Sequence, residues 1–209
     1  MDNKWFTKKQ LAENIWGFGE FKHFEKVISY LIIGDRRALL FDTGLGIYNI
    51  KKEVNFLTNL PIIIVNSHSH YDHVGGNKFF KGVDIFSHGK SLPNNKIIKL
   101  SPFFLKVICT PGHSPNGICL YEQKKGFLFT GDTVYPGPIY LHLKESNISE
   151  YKKSIAKLIL LKKVRKIFPG HNQFKCDLKI NIKISLKLKS INKTDKKIII
   201  DKQTSLLLK

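Results

Sequence analysis

The stretch Ile62-Ile63-Ile64-Val65-Asn66-Ser67-His68-Ser69-His70-Tyr71-Asp72-His73-Val74-Gly75-Gly76 joins a short, apolar, β-branched run to four side chains that can bind a metal. The run reads as a buried strand ending at Val65. Where the chain stays extended, His68 and His70, two residues apart, point to the same side, and Asp72 with His73 then turns towards a neighbouring position. Gly75 and Gly76 let the backbone close that turn before the next helix.

Working outward, three more ligand-type residues stand in the same setting. His113 follows Val107-Ile108-Cys109-Thr110-Pro111-Gly112, Asp132 follows Phe127-Leu128-Phe129-Thr130-Gly131, and His171 follows Ile167-Phe168-Pro169-Gly170. Each lies shortly beyond a strand and is introduced by glycine, as expected for one site assembled from the loops at one edge of a sheet. A single histidine after a strand is usually a surface or core residue, and His23 and His88 are read that way. Seven ligand-type residues in such settings are not explained by chance.

Further apolar runs at Val27–Ile33, Ala38–Phe41, Val83–Phe86, Ile118–Tyr121 and Lys166–Phe168 read as strands. Ile47, Ile50, Val54 and Leu57 fall at helical spacing, and Asn147 with Glu150 three positions on starts a second helix through Tyr151, Ile155 and Leu158. This interleaving predicts an α/β sandwich, sheet on sheet with helices outside. We expect one catalytic domain over residues 1–171, with 172–209 a lysine-rich segment packing on or extending it. In that segment Ile180, Ile182, Ile184, Leu186 and Leu188 alternate with polar residues, as in a strand, while Ile180, Ile184 and Leu188 would equally line a helix.

The net charge of +19 would suit nucleic acid or a phosphorylated substrate. However, only Arg36, Arg37 and Arg165 are arginines, and the lysines are spread along the whole chain. A lysine-coated, solvated surface is therefore favoured over a nucleic-acid face, and the expected partner is a small-molecule substrate. Cys109, Cys119 and Cys176 form no CxxC pair and read as reduced, small apolar residues. The chain has no run long enough to span a membrane, and Met1 to Gln10 lacks an apolar signal core, which predicts a cytoplasmic protein. Oligomeric state is not legible.

With its HxHxDH motif at His68-Ser69-His70-Tyr71-Asp72-His73, its Pro-Gly-His at His113 and His171, its Thr-Gly-Asp-Thr at Asp132 and its Phe41-Asp42-Thr43-Gly44, the chain resembles the metallo-β-lactamase superfamily. That resemblance implies a four-layer αββα sandwich and two metal ions. It assigns His68, His70 and His113 to the first metal, Asp72, His73 and His171 to the second, and Asp132 to a bridge between them. Imidazole and carboxylate suit two zinc ions, although iron or manganese accepts the same donors. Two such dications sharing a water would lower its pKa towards ~7 and supply hydroxide as nucleophile. Asp72 is the expected catalytic residue, orienting that water and relaying its proton. Asp42 could accept the free N–H of a ligand histidine, Tyr135 could donate to a substrate oxygen or form a pocket wall, and His142 is a weaker candidate for substrate binding.

Class B β-lactamases carry cysteine where this chain has Asp132, so β-lactams are not the expected substrate. Glyoxalase II is similar through Thr-Gly-Asp-Thr but adds a helical glutathione-binding domain, whereas here residues 172–209 alone follow His171. Pro111-Gly112-His113-Ser114, Ile118-Cys119-Leu120 and Gly131-Asp132-Thr133-Val134-Tyr135 resemble the acyl-CoA thioesterase branch. The expectation is therefore hydrolysis of a thioester or ester, of acyl-CoA or acyl-glutathione type. A lactonase or a nuclease/phosphodiesterase of the same superfamily is the alternative. A persulfide dioxygenase, which needs fewer ligands, and a non-catalytic metal-binding module are less favoured.

Overall fold

The computed structural model of the chain describes residues 5–88, 91–192 and 194–209, so Met1 to Lys4 of the N-terminal stretch lie outside the described residues. β1 (Thr7–Ala12), β2 (Ile15–Gly19), β3 (Ile28–Ile33), β4 (Ala38–Phe41), β5 (Ile62–Val65) and β6 (Ile85–Phe86) pair in that order as one six-stranded sheet. A second, five-stranded sheet contains β7 (Ile97–Leu100), β8 (Phe103–Cys109), β9 (Ile118–Glu122), β10 (Phe127–Gly131) and β12 (Lys166–Pro169), ordered β12-β10-β9-β8-β7. β11 (Pro138–Leu141), β13 (Lys197–Ile199) and β14 (Ser205–Leu208) make a small third sheet, with β14 central.

Strand alternation explains why these runs are apolar throughout. Ile28, Tyr30 and Ile32 of β3 and Leu39 and Phe41 of β4 meet Leu105, Val107, Phe127 and Phe129 of the second sheet in the core between the sheets. The alternate residues Leu31, Ala38 and Leu40 face the other way, onto Ile50 and Val54 of α1 (Ile50–Leu57). Likewise Ile108, Cys119, Leu128 and Ile167 face outward onto the helices that follow. Strands buried on both faces lose the polar half of the period-two pattern. β1 shows the converse: its Thr7-Lys8-Lys9-Gln10 start is exposed, as suits an end strand, and it carries no apolar run for the sequence to reveal.

α3 (Ile148–Ile159) starts as the capping residues predict, with Asn147 Oδ1 accepting the Glu150 N–H at 3.0 Å. It packs with α4 (Ile180–Leu188) over the second sheet, giving the order helix, sheet, sheet, helix. α4 resolves the ambiguous tail. Ile180, Ile184 and Leu188 are buried, whereas Ile182 and Leu186 are 49% and 60% exposed, so the four-residue spacing prevails over the alternation. The tail then returns as β13 and β14, the latter running parallel to β11. The run expected as strand over Val83–Phe86 is strand only at Ile85–Phe86. No helix among the described residues is long and apolar enough to cross a membrane.

Candidate metal centre

β4 and β5 run parallel, as do β10 and β12, so the loops after Phe41, Val65, Gly131 and Pro169 leave from carboxyl ends of strands. The two sheets are joined there: Ile118 N donates to Ser67 O at 2.8 Å, and Ile28 N to Gly170 O at 2.7 Å. Space at this seam is tight. A Cβ on Gly131, whose φ is +47°, would stand 2.6 Å from Ser67 Cβ, and one on Gly170 would stand 2.7 Å from Asp132 Oδ1. Those glycines let the strand ends approach closely enough for their side chains to share one site. α2 (Tyr71–Val74) carries Asp72 and His73 into it.

All seven expected ligand residues are brought together. His70 Nδ1 lies 3.0 Å from His113 Nε2, and His73 Nε2 lies 3.2 Å from His171 Nε2. Asp132 stands between the two groups. Its Oδ1 is 3.1 Å from His73 Nε2 and 3.0 Å from His171 Nε2, and its Oδ2 is 3.4 Å from His113 Nε2 and 3.9 Å from His68 Nε2. Asp72 Oδ2 is 3.5 Å from both His73 Nε2 and His171 Nε2. The donor atoms fall into three overlapping triads, His68-His70-His113, His68-His73-Asp132 and Asp72-His73-His171, each with all atoms within 4.8 Å of one another.

The opposite nitrogen of every one of these histidines is held by an oxygen. Nδ1–H of His113 donates to Tyr140 O at 2.7 Å, and that of His171 to Glu25 O at 2.6 Å. His73 Nδ1–H donates to Asp42 Oδ2 at 2.8 Å, and His68 Nδ1–H to Ser67 Oγ at 3.0 Å. Ser67 itself donates to Asp42 from Oγ at 2.8 Å and from its backbone N at 2.6 Å. His70 is reversed: its Nε2–H donates to Glu145 Oε1 at 2.9 Å, which leaves Nδ1 facing the site. Anchoring one nitrogen sets the tautomer and leaves the other lone pair aimed inward.

Charge in the cluster is unevenly held. Burial pushes the His68 and His113 imidazoles below the usual histidine range, so both are neutral near pH 7. Burial also acts on His73 and His171, but the surrounding carboxylates, Asp132 foremost with Asp72 and, for His73, Asp42, together outweigh it and raise both. Asp132 resists its own burial because His171 and His73 hold it ionised, well below the usual carboxylate range. His68 Nε2 is buried without a hydrogen-bond partner. Such an atom costs ~1–3 kcal/mol, a cost that coordination to a cation removes. Converging imidazole nitrogens, two of them neutral, with an ionised carboxylate and an orphaned nitrogen fit a bound metal, and the N/O donor set suits zinc.

Above the cluster lies a cleft of about 300 Å³. Of the two readings of Tyr135, donor or wall, the geometry favours the wall: it lines a small pocket beside the cleft with Glu25, Tyr140 and His171, its ring packs 5.0 Å from that of His171 and its hydroxyl donates to Pro138 O. The expectation for His142 needs correction. His142 is exposed, does not line the cleft, and packs 5.5 Å from the Tyr140 ring. The phenols that do line it are Tyr71 and Tyr140, joined by Glu25 and Glu145. Sequence reasoning missed all four because Tyr71 fills a variable position of the HxHxDH motif and the other three lie outside any motif. Burial holds the Tyr140 phenol above its ordinary range, so it is protonated and able to donate. Cys119, buried in the second sheet, is pushed up to about 11 and is no nucleophile at neutral pH.

A family model described as the metallo-beta-lactamase superfamily matches residues 25–92 and 81–171. The chain is 26% identical to the acyl-coenzyme A thioesterase MBLAC2 of Gallus gallus, over 80% of this chain and 81% of that protein. It is 31% identical to a hydroxyacylglutathione hydrolase of Pelagibacter ubique, over 77% and 76% respectively. Among solved structures, a metallo-beta-lactamase from Pontibacter korlensis superposes with a TM-score of 0.75 at 16% identity, covering 89% of this chain and all 100% of that one, a likeness of fold.

Proposed function

The chain belongs to the metallo-beta-lactamase superfamily of metallo-hydrolases, and from that premise we propose that it is a dinuclear, metal-dependent hydrolase of thioesters or esters. The observation that carries the proposal is the paired arrangement of inward-facing nitrogens on either side of Asp132. In it, His68, His70 and His113 would hold one zinc ion, Asp72, His73 and His171 a second, and Asp132 would touch both. When bound, such a pair supplies hydroxide at neutral pH and Lewis acidity for the substrate carbonyl.

The chain's own groups do the rest. Asp72 lines the cleft beside His73 and His171, so its carboxylate is placed to orient the attacking water and accept its proton. The Tyr140 phenol is the cleft's hydroxyl donor for a substrate oxygen. Asp42, through His73 and Ser67, holds two of the ligand imidazoles rigid. In the net reaction the oxygen of water forms the new C–O bond and the C–S or C–O bond of the ester breaks. The departing sulfur or oxygen leaves as thiol or alcohol after gaining a proton.

The relatives named as acting on acyl-coenzyme A and on hydroxyacylglutathione both point to thioesters. Metal analysis of protein purified without added metal, joined to a panel of thioesters, lactones and phosphodiesters, tests the proposal. Two equivalents of zinc with thioester turnover are expected. Metal-loaded protein that turns over only phosphodiesters, or nothing, overturns it.

A further inference from the structure

The lip of the cleft carries charge of one sign. Glu25, between β2 and β3, accepts the Tyr71 hydroxyl hydrogen bond at 2.8 Å, and Glu145, between β11 and α3, accepts from His70 Nε2 at 2.9 Å. His70 and Tyr71 are consecutive, so both carboxylates are tethered to one stretch of the rim. Neither belongs to the ligand triads. Among the described residues no lysine or arginine lines the cleft, in a chain with 35 of them. Lys26 and Lys144, next to the two glutamates in sequence, are exposed and lie outside it.

We propose that Glu25 and Glu145 are the specificity-determining residues of the cleft: they disfavour thioesters whose leaving-group arm carries a carboxylate within reach of the lip and admit those whose arm is uncharged there. The inference rests on the reading of the chain as a thioester hydrolase and names which thioesters it takes. A substrate carboxylate held ~7 Å from one glutamate, at an effective dielectric of about 40, is disfavoured roughly sevenfold, and two such encounters multiply. A glutathione arm brings carboxylates close to its sulfur. A pantetheine arm has the amide N–H groups but no carboxylate, and carries any phosphate at its far end, away from its sulfur.

The test uses the full zinc-loaded chain with one acyl group, butanoyl, on pantetheine, coenzyme A and glutathione. Binding of the matching S-butyl thioethers of pantetheine and glutathione is measured by calorimetry, with no turnover required. The pantetheine ester is expected to exceed the glutathione ester by about tenfold or more in kcat/KM, mostly through KM. That ratio should shrink about fivefold in Glu25→Gln or Glu145→Gln, and it should shrink in the unaltered protein at ~1 M salt, where the screening length is ~3 Å. Equal or better use of the glutathione ester, or a ratio moved by neither substitution nor salt, overturns the inference while leaving thioester hydrolysis standing. Absence of turnover on all three esters overturns the thioester reading instead. The thioether affinities then decide the rim's selectivity by themselves, equal binding of the two overturning it.

Discussion

The cleft over the histidine cluster can be set beside a second cavity, of about 440 Å³, on the flank where β6 and β7 end their sheets. The second cavity has an apolar floor that includes Ile63, Phe86 and Ile98, and its charged lining groups are Arg37, Lys96 and Lys99. The cleft is the smaller of the two and its charged lining includes Glu25, Asp72, Asp132 and Glu145. A net charge of +19 is therefore a property of the coat, and it reverses where the ligands converge. The physical reason is local: a lysine ammonium among metal ligands would pair with the carboxylates and compete with the cation they are arranged to hold.

If the cleft is the reactive region, damage should scale with proximity to Asp132. Asp132→Ala should release metal and lower thioester hydrolysis by roughly a thousandfold or more, read by elemental analysis and turnover together. Full activity in that variant would break the comparison outright. Asp42→Ala removes the acceptor of His73 and Ser67. Metal affinity should fall about 10–100-fold in a chelator competition, with the fold retained. Tyr140→Phe should cost on the order of tenfold in kcat with metal content unchanged, whereas Tyr135→Phe, whose hydroxyl is already bound to Pro138 O, should change kcat less. At the far end of the scale, Lys96→Gln with Lys99→Gln in the second cavity should leave kcat/KM for a butanoyl thioester within about twofold. A larger loss would show that the basic cavity takes part in turnover.

Legibility followed the range of the interactions. The strand over Ile62–Val65 and the helix start at Asn147 were readable because their causes, apolar run and cap, lie within a few neighbouring residues. β1, β7 and β11 were not, since a short or polar strand is defined by its pairing partners. The tail was ambiguous for a related reason: Ile180 to Leu188 satisfies two periods at once, and only packing on the second sheet exposes Ile182 and Leu186. Tyr135 stayed open between donor and wall because its place next to the Asp132 loop is legible, while the direction of its hydroxyl depends on Pro138.

By itself, the sequence determined which side chains can bind metal and that each follows a strand or opens the turn beyond one, because donor chemistry and strand propensity are carried by short segments. Tertiary structure alone decided how those side chains are held and what they face. His70 is fixed by Glu145, 75 residues away, and His171 by the backbone carbonyl of Glu25, 146 residues away. A hydrogen bond to a distant carboxylate or a main-chain oxygen leaves no trace in local pattern, since any residue supplies the carbonyl and only the packing of the two sheets brings it within reach.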